Sequence, residues 1–172
     1  AKIIDIGGGD SKLVDYLLGE GYNNITVLDI SEKAIAKAKK RLGEKASKVN
    51  WIVSDITEFK PHSSFAVWHD RATFHFLTTD GQIKKYIKQA TKFVSGYLVI
   101  GTFSQNGPKK CSGLEIKQYN EEELTLELKK GFDKIQCITE DHTTPFNTMQ
   151  NFLFCSFKRQ LTEKPALPIP TS

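Results

Sequence analysis

Apolar runs that each end in an acid alternate with helix-patterned segments through the first half of this chain. Lys2-Ile3-Ile4-Asp5-Ile6 is followed at once by Gly7-Gly8-Gly9-Asp10-Ser11, and Ile25-Thr26-Val27-Leu28 is closed by Asp29. A buried strand, a glycine-rich turn, a helix and a second strand with an acid at its tip describe a nucleoside lying across the carboxyl ends of adjacent parallel strands. Residues 49–53 form a third run just before Asp55, and residues 65–69 a fourth that ends at Asp70.

The intervening segments carry helical spacing. Leu13, Val14, Leu17 and Leu18 share one face of a helix near 11–20 that Gly19 and Gly21 close. Ser31 suits the N-cap of a lysine-rich helix over 32–43, and Gly43 its end. A helix near 80–93 turns Ile83, Ile87 and Ala90 inward, and a fifth strand runs near 96–103. A loop rich in Gly, Pro and Lys spans 104–118, a length expected to cover a functional pocket. Asn120 then caps an acidic helix start, where negative charge suits the helix dipole.

Two strand-like runs, 132–142 and 150–158, follow with only a short connection. They must pair antiparallel, because a parallel crossover needs about a dozen residues or more. The expected fold is an α/β, doubly wound, mostly parallel seven-stranded sheet with helices on both faces and a reversed edge strand. Residues 1–160 read as one domain. Residues 161–172, with Pro165, Pro168 and Pro170, read as a disordered tail or an expression remnant. The chain begins directly in a strand without Met, so a preceding segment is expected to be missing.

Bulk composition narrows the partners. The 172 residues carry a net charge of +4, much of it from lysines between Lys33 and Lys48. Those lysines read either as a nucleic-acid or phosphate patch or as a solvated outer face. No aromatic residues interleave with them as stacking platforms, so no nucleic-acid partner is expected. No apolar run is long enough to span a bilayer. The three cysteines, Cys111, Cys137 and Cys155, have no metal-ligand spacing. Their odd number points to a reducing, cytoplasmic setting. Cys137 and Cys155 read as small buried apolar residues, and Cys111 as a passive loop cysteine sooner than as a thiol made reactive by Lys109 and Lys110.

Taken together these segments resemble class I S-adenosylmethionine-dependent methyltransferases over residues 2 to about 159. Asp5 to Ser11 is similar to that family's acid-x-Gly-x-Gly-x-Gly motif, with Ser11 in place of the third glycine. The resemblance implies a Rossmann-like methyltransferase fold whose last strand inserts antiparallel. It also implies S-adenosyl-L-methionine as cofactor. On that reading Asp5 receives the cofactor's ammonium, while Gly7, Gly8 and Gly9 let the backbone approach and keep amides available. Asp29 accepts the ribose hydroxyls, beside Ser31. Ser54-Asp55-Ile56 holds the adenine, with Ile30 and Ile56 on either side of the ring.

Trp68-His69-Asp70-Arg71-Ala72-Thr73-Phe74 is similar to the Asp-Arg-Gly/Ala segment of thiopurine and thiol S-methyltransferases. It is also similar to the Asp-Lys-Gly-Thr-Phe segment of some lysine methyltransferases. Gly107-Pro108 and the helix from Glu121 favour the first. The expected function is methyl transfer to a small thiol-like acceptor. The alternatives are a protein lysine methyltransferase and a non-catalytic cofactor-binding module. His69 and Asp70 are the catalytic candidates, His69 as a base or as a strand-end cofactor contact. Asp70, Arg71, Phe74 and His75 are the acceptor-binding candidates; His75 reads equally as a packed histidine, and Phe74 reads more readily as core and pocket wall. A nicotinamide dehydrogenase fits less well, because its third glycine would fall at Lys12. The motifs of DNA amino- and cytosine-C5-methyltransferases are absent after the fourth strand, where His69-Asp70-Arg71-Ala72 stands.

Overall fold

The computed structural model describes residues 1–161, so the expected tail lies outside the described residues from position 162 onward. The strands are β1 (Ile3–Ile6), β2 (Ile25–Asp29), β3 (Val49–Val53), β4 (Phe65–Arg71), β5 (Val94–Phe103), β6 (Lys110–Cys111), β7 (Leu114–Glu115), β8 (Phe132–Thr143) and β9 (Met149–Arg159). The helices are α1 (Leu13–Gly19), α2 (Glu32–Leu42), α3 (Asp80–Phe93) and α4 (Glu121–Leu128).

Seven strands form one sheet in the order β3-β2-β1-β4-β5-β9-β8, and β6 and β7 form a small hairpin inside the loop after β5. Strands β1 to β5 are parallel, and β9 pairs antiparallel with both β5 and β8. The reversed strand is therefore not the edge expected from the hairpin alone. It lies between β5 and β8, and β8 forms the rim. The chain order reverses between β1 and β4, whose tips pair in register as Asp5 opposite His69. In open α/β sheets a crevice for ligands opens at such a switch point.

Strand alternation sorts side chains to the two faces. Ile4, Ile6, Trp68, Leu98, Ile100, Leu153, Cys155 and Phe157 point to one face, where Ile83, Tyr86, Ala90, Leu124 and Leu128 of α3 and α4 cover them. On the opposite face Ile25, Val27 and Val49 pack against Val14, Leu17, Leu18 and Leu42 of α1 and α2. The helix ends follow the sequence. Ser31 caps α2 through Ala34 N–H at 3.1 Å, and Thr79 and Asn120 form capping boxes with Gln82 and Glu123.

One cysteine expectation is overturned. Cys137 and Cys155 stand directly opposite in the β8–β9 ladder and are joined as a disulfide, with Cα atoms 4.1 Å apart. Two of the three cysteines are thus paired, and the argument for a reducing compartment from an odd set of free thiols loses its ground. Among the described residues no helix is long and apolar enough to cross a membrane.

Candidate active site

The glycine turn after β1 is shaped by close approach. Gly7 has φ +69°, and a Cβ there would lie 2.0 Å from Thr73 Oγ1. A Cβ on Gly8 would lie 2.3 Å from Asp5 Oδ2, and one on Gly9 2.8 Å from Asp29 Oδ2. The amides of this turn are not left free as expected from the sequence. Gly7 and Gly8 N–H both donate to Leu28 O, and Gly9 N–H donates to Asp29 Oδ2 at 2.9 Å. The glycines therefore let the side chains of Thr73, Asp5 and Asp29 close on the turn, while their donors hold β1 to β2.

Asp5 is 1% exposed. Its Oδ1 accepts from His69 Nδ1 at 2.8 Å, and its Oδ2 is buried with no hydrogen-bond partner among the described residues. A buried carboxylate oxygen left without a partner is costly, and a cationic donor group brought alongside relieves that cost. Asp29 stands at the tip of β2, with Oδ1 accepting Ser31 N–H at 2.8 Å and Oδ2 accepting Gly9 N–H. Each oxygen keeps a lone pair for a further donor, so the carboxylate is oriented in advance for two neighbouring hydroxyls.

At the next strand tip Asp55 Oδ1 accepts both Thr57 N–H and the Thr57 hydroxyl at 2.8 Å. Ser54 N–H donates to Asp29 O, and its hydroxyl to Asp55 O. The expected two-sided clasp of an aromatic ring is one-sided here. Ile30 is 70% exposed, whereas Ile56 is 4% exposed and packs into the main core.

Strand alternation divides the acceptor candidates. His69 and Arg71 point to the crevice, and Asp70, the residue between them, points the other way. Asp70 is fully buried, accepts Tyr86 O–H at 2.6 Å, and accepts the N–H groups of Thr73 and Phe74 at 2.9 and 3.3 Å. Burial pushes its carboxyl up to about 6, against the pull of these three donors. Its carboxylate faces away from the crevice in which it was expected to meet the acceptor. It pins the turn over 72–76, in which Ala72 holds a left-handed φ of 68° and donates to Gly101 O.

Phe74 and His75 are likewise inside, not at the crevice. Phe74 is 0% exposed and packs on Tyr86 and Tyr119. His75 is also fully buried, accepts Phe103 N–H at Nδ1, and has its pKa lowered to about 4 by burial. Consecutive residues in a tight 3₁₀ turn pack inward together, a geometry that helical spacing from Arg71 does not anticipate.

Residues not singled out in the sequence complete the crevice. A cavity of about 460 Å³ is lined by Ser11, Lys12, His69 and Arg71 together with Glu140, His142, Phe152 and Phe154. A contiguous one of about 300 Å³ brings in Asp10, Phe103, Cys111 and Gln150. Cys111 is free and lines this second cavity, so the loop over 104–118 does reach the crevice. The signal for the hairpin residues is alternation along strands whose register fixes Glu140 opposite Phe152 and His142 opposite Gln150. That register cannot be read before the turn length is known.

A family model described as a methyltransferase domain matches residues 3–95. The chain belongs to the class I S-adenosylmethionine-dependent methyltransferase family. It is 30% identical over 95 residues to the eEF1A lysine and N-terminal methyltransferase of Bos taurus, covering 55% of this chain and 13% of that protein. It is 35% identical over 104 residues to a malonyl-[acyl-carrier protein] O-methyltransferase of Anoxybacillus flavithermus, covering 59% and 38%. The chain thus spans well under half the length of these curated relatives. In fold it resembles the N-methyltransferase NodS from Bradyrhizobium japonicum solved with S-adenosyl-L-homocysteine. That match has a TM-score of 0.71 and 17% identity, and covers 92% of this chain and 78% of that one.

Proposed function

We propose that residues 1–160 act as one unit that transfers a methyl group from S-adenosylmethionine to a small thiol-like acceptor. Asp29 takes the donor's ribose, and Asp55 with Ile30 and the backbone over Ser54–Ile56 takes its adenine. The unpartnered Oδ2 of Asp5 takes its ammonium. The fit rests on that orphaned oxygen and on the close approach of the Gly8 and Gly9 backbone to the Asp5 and Asp29 carboxylates. Bound there, S-adenosylmethionine supplies an electrophilic methyl carbon on a positively charged sulfur.

The observation that carries the reading is the Asp5–His69 pair, whose His69 lines an aromatic-walled cavity. A carboxylate can only accept, so His69 donates from Nδ1 and its Nε2 carries the free lone pair. That nitrogen receives the acceptor's S–H proton as the new S–C bond forms and the donor's S–C bond breaks. The donor leaves as a neutral thioether. Little else is asked of the protein except holding acceptor and methyl carbon in line at about 3–3.5 Å. The cavity volume suits a small molecule.

Radiolabelled donor offered with a panel of thiols, amines and lysine-bearing proteins tests the reading. Label entering small thiols supports it; label entering protein alone replaces it with the lysine reading. His69→Asn is expected to lower turnover at least tenfold while S-adenosyl-L-homocysteine affinity stays within about twofold, about 0.4 kcal/mol. Unchanged turnover would make His69 a bystander. Asp29→Ala is expected to weaken nucleoside binding more than tenfold, beyond about 1.4 kcal/mol, by calorimetry. Unchanged affinity would remove Asp29 from the donor site.

A further inference from the structure

Arg71 and Glu140, of opposite charge, stand in the acceptor cavity beside Lys12, and none of the three makes an ion pair among the described residues. Arg71 is exposed and lies over the Phe152 ring at 5.2 Å from its centroid; among the described residues it makes no ion pair. Glu140 is exposed on β8 directly opposite Phe152 in the β8–β9 register, and it too has no ion pair among the described residues. Both line the same cavity, yet they do not pair with each other. Cation, aromatic ring and anion follow one another across the floor, and His69 lies on the same face two residues before Arg71 on β4.

From this arrangement, and resting on the methyl-transfer reading above, we infer that the acceptor is zwitterionic: a small thiol bearing both a carboxylate and an ammonium, of the amino-acid type. Its carboxylate meets Arg71, its ammonium meets Glu140, and its sulfur is left to face His69. The donor's own ammonium does not need Glu140, because the buried Asp5 Oδ2 already offers it an acceptor. A ligand with both charges satisfies both walls. A ligand with one charge drives the other cavity group out of water without a partner. The Phe152 ring favours a guanidinium held over its face, so Arg71 is already oriented before the ligand arrives.

Calorimetry on the protein saturated with S-adenosyl-L-homocysteine tests this with three thiols that differ only in their charges. L-Cysteine carries both, 3-mercaptopropionate lacks the ammonium, and cysteamine lacks the carboxylate. L-Cysteine is expected to bind at least tenfold more tightly than either. Arg71→Gln is expected to erase its advantage over cysteamine, and Glu140→Gln its advantage over 3-mercaptopropionate. Affinity for S-adenosyl-L-homocysteine should hold in both variants. Equal affinity for the three thiols overturns the inference, and so does a loss confined to nucleoside binding in either variant. Label transfer to cysteamine as efficient as to L-cysteine sinks the inference but leaves the methyltransferase standing. No transfer to any small thiol sinks the proposed function itself.

Discussion

Gly8→Ala is expected to lower affinity for S-adenosyl-L-homocysteine at least 100-fold and to destabilise the fold by about 2 kcal/mol. The added carbon would sit 2.3 Å from Asp5 Oδ2 and 2.6 Å from Asp5 Cγ. Asp5 cannot swing aside easily, because its other oxygen is held by His69 and the residue is 1% exposed. Overpacking of this kind costs about 1–3 kcal/mol in folded proteins. The hundredfold loss corresponds to about 2.7 kcal/mol of binding, because the methyl fills the space beside the very oxygen assigned to the ligand. Gly19→Ala is the matched control. Nothing lies within 4 Å of its Cβ and it ends helix α1, so binding should not change and stability should hold or rise slightly. Calorimetry and thermal unfolding check both. Equal behaviour of the two variants would mean that the glycine turn is not where the nucleoside lies.

The second large effect is a compensation between two buried groups. Asp70 has its pKa raised from 3.8 to about 6, so the native state holds a proton that the unfolded chain has lost across that interval. Its contribution to stability is complete below pH 3.8 and is lost as pH rises through 6. At about 1.4 kcal/mol per pH unit this amounts to about 3 kcal/mol. His75 has its pKa lowered from 6.5 to about 4, so here the unfolded chain holds the extra proton. Its contribution is complete above pH 6.5 and is lost as pH falls through 4, again about 3 kcal/mol. In the native protein the two slopes oppose each other and nearly cancel.

Single replacements should therefore expose each slope. Relative to the native protein, Asp70→Asn should gain about 3 kcal/mol of stability between pH 4 and 6.5, and His75→Gln should lose about as much over the same range. Urea unfolding at several pH values in that window measures both. Three parallel curves would show that neither group titrates as its burial requires. Tyr86, which donates to Asp70 and is fully buried, has its own ionisation pushed well up by burial and plays no part in this window.

What the sequence made legible is what runs contiguously along it. Asp5, Asp29 and Asp55 follow apolar runs at successive strand ends, so parallel pairing alone brings them to one edge of the sheet. Ser31 reads as a helix cap and is one. Asp70 turns away from the crevice, and Phe74 and His75 take their packed readings, because each depends on partners from other elements. Tyr86 lies on α3, sixteen residues beyond Asp70, and Phe103 lies at the end of β5. The alternation rule alone would have separated His69 from Asp70, since neighbouring strand residues face opposite ways. Glu140, His142 and Phe152 were invisible for a different reason. They reach the crevice only because β9 inserts between β5 and β8, and their facing side is set by a register that the short turn after β8 decides. The same register brings Cys137 opposite Cys155.

The account stands on one nucleoside resting against the carboxylates at the tips of β1, β2 and β3. A crystal structure of the protein soaked with S-adenosyl-L-homocysteine tests that most directly. The ribose hydroxyls should lie within hydrogen-bond distance of both Asp29 oxygens, with the amino-acid nitrogen beside Asp5 Oδ2. The nucleoside bound elsewhere, with Asp5 Oδ2 still unpartnered and Asp29 bonded only to Gly9 and Ser31, would contradict it.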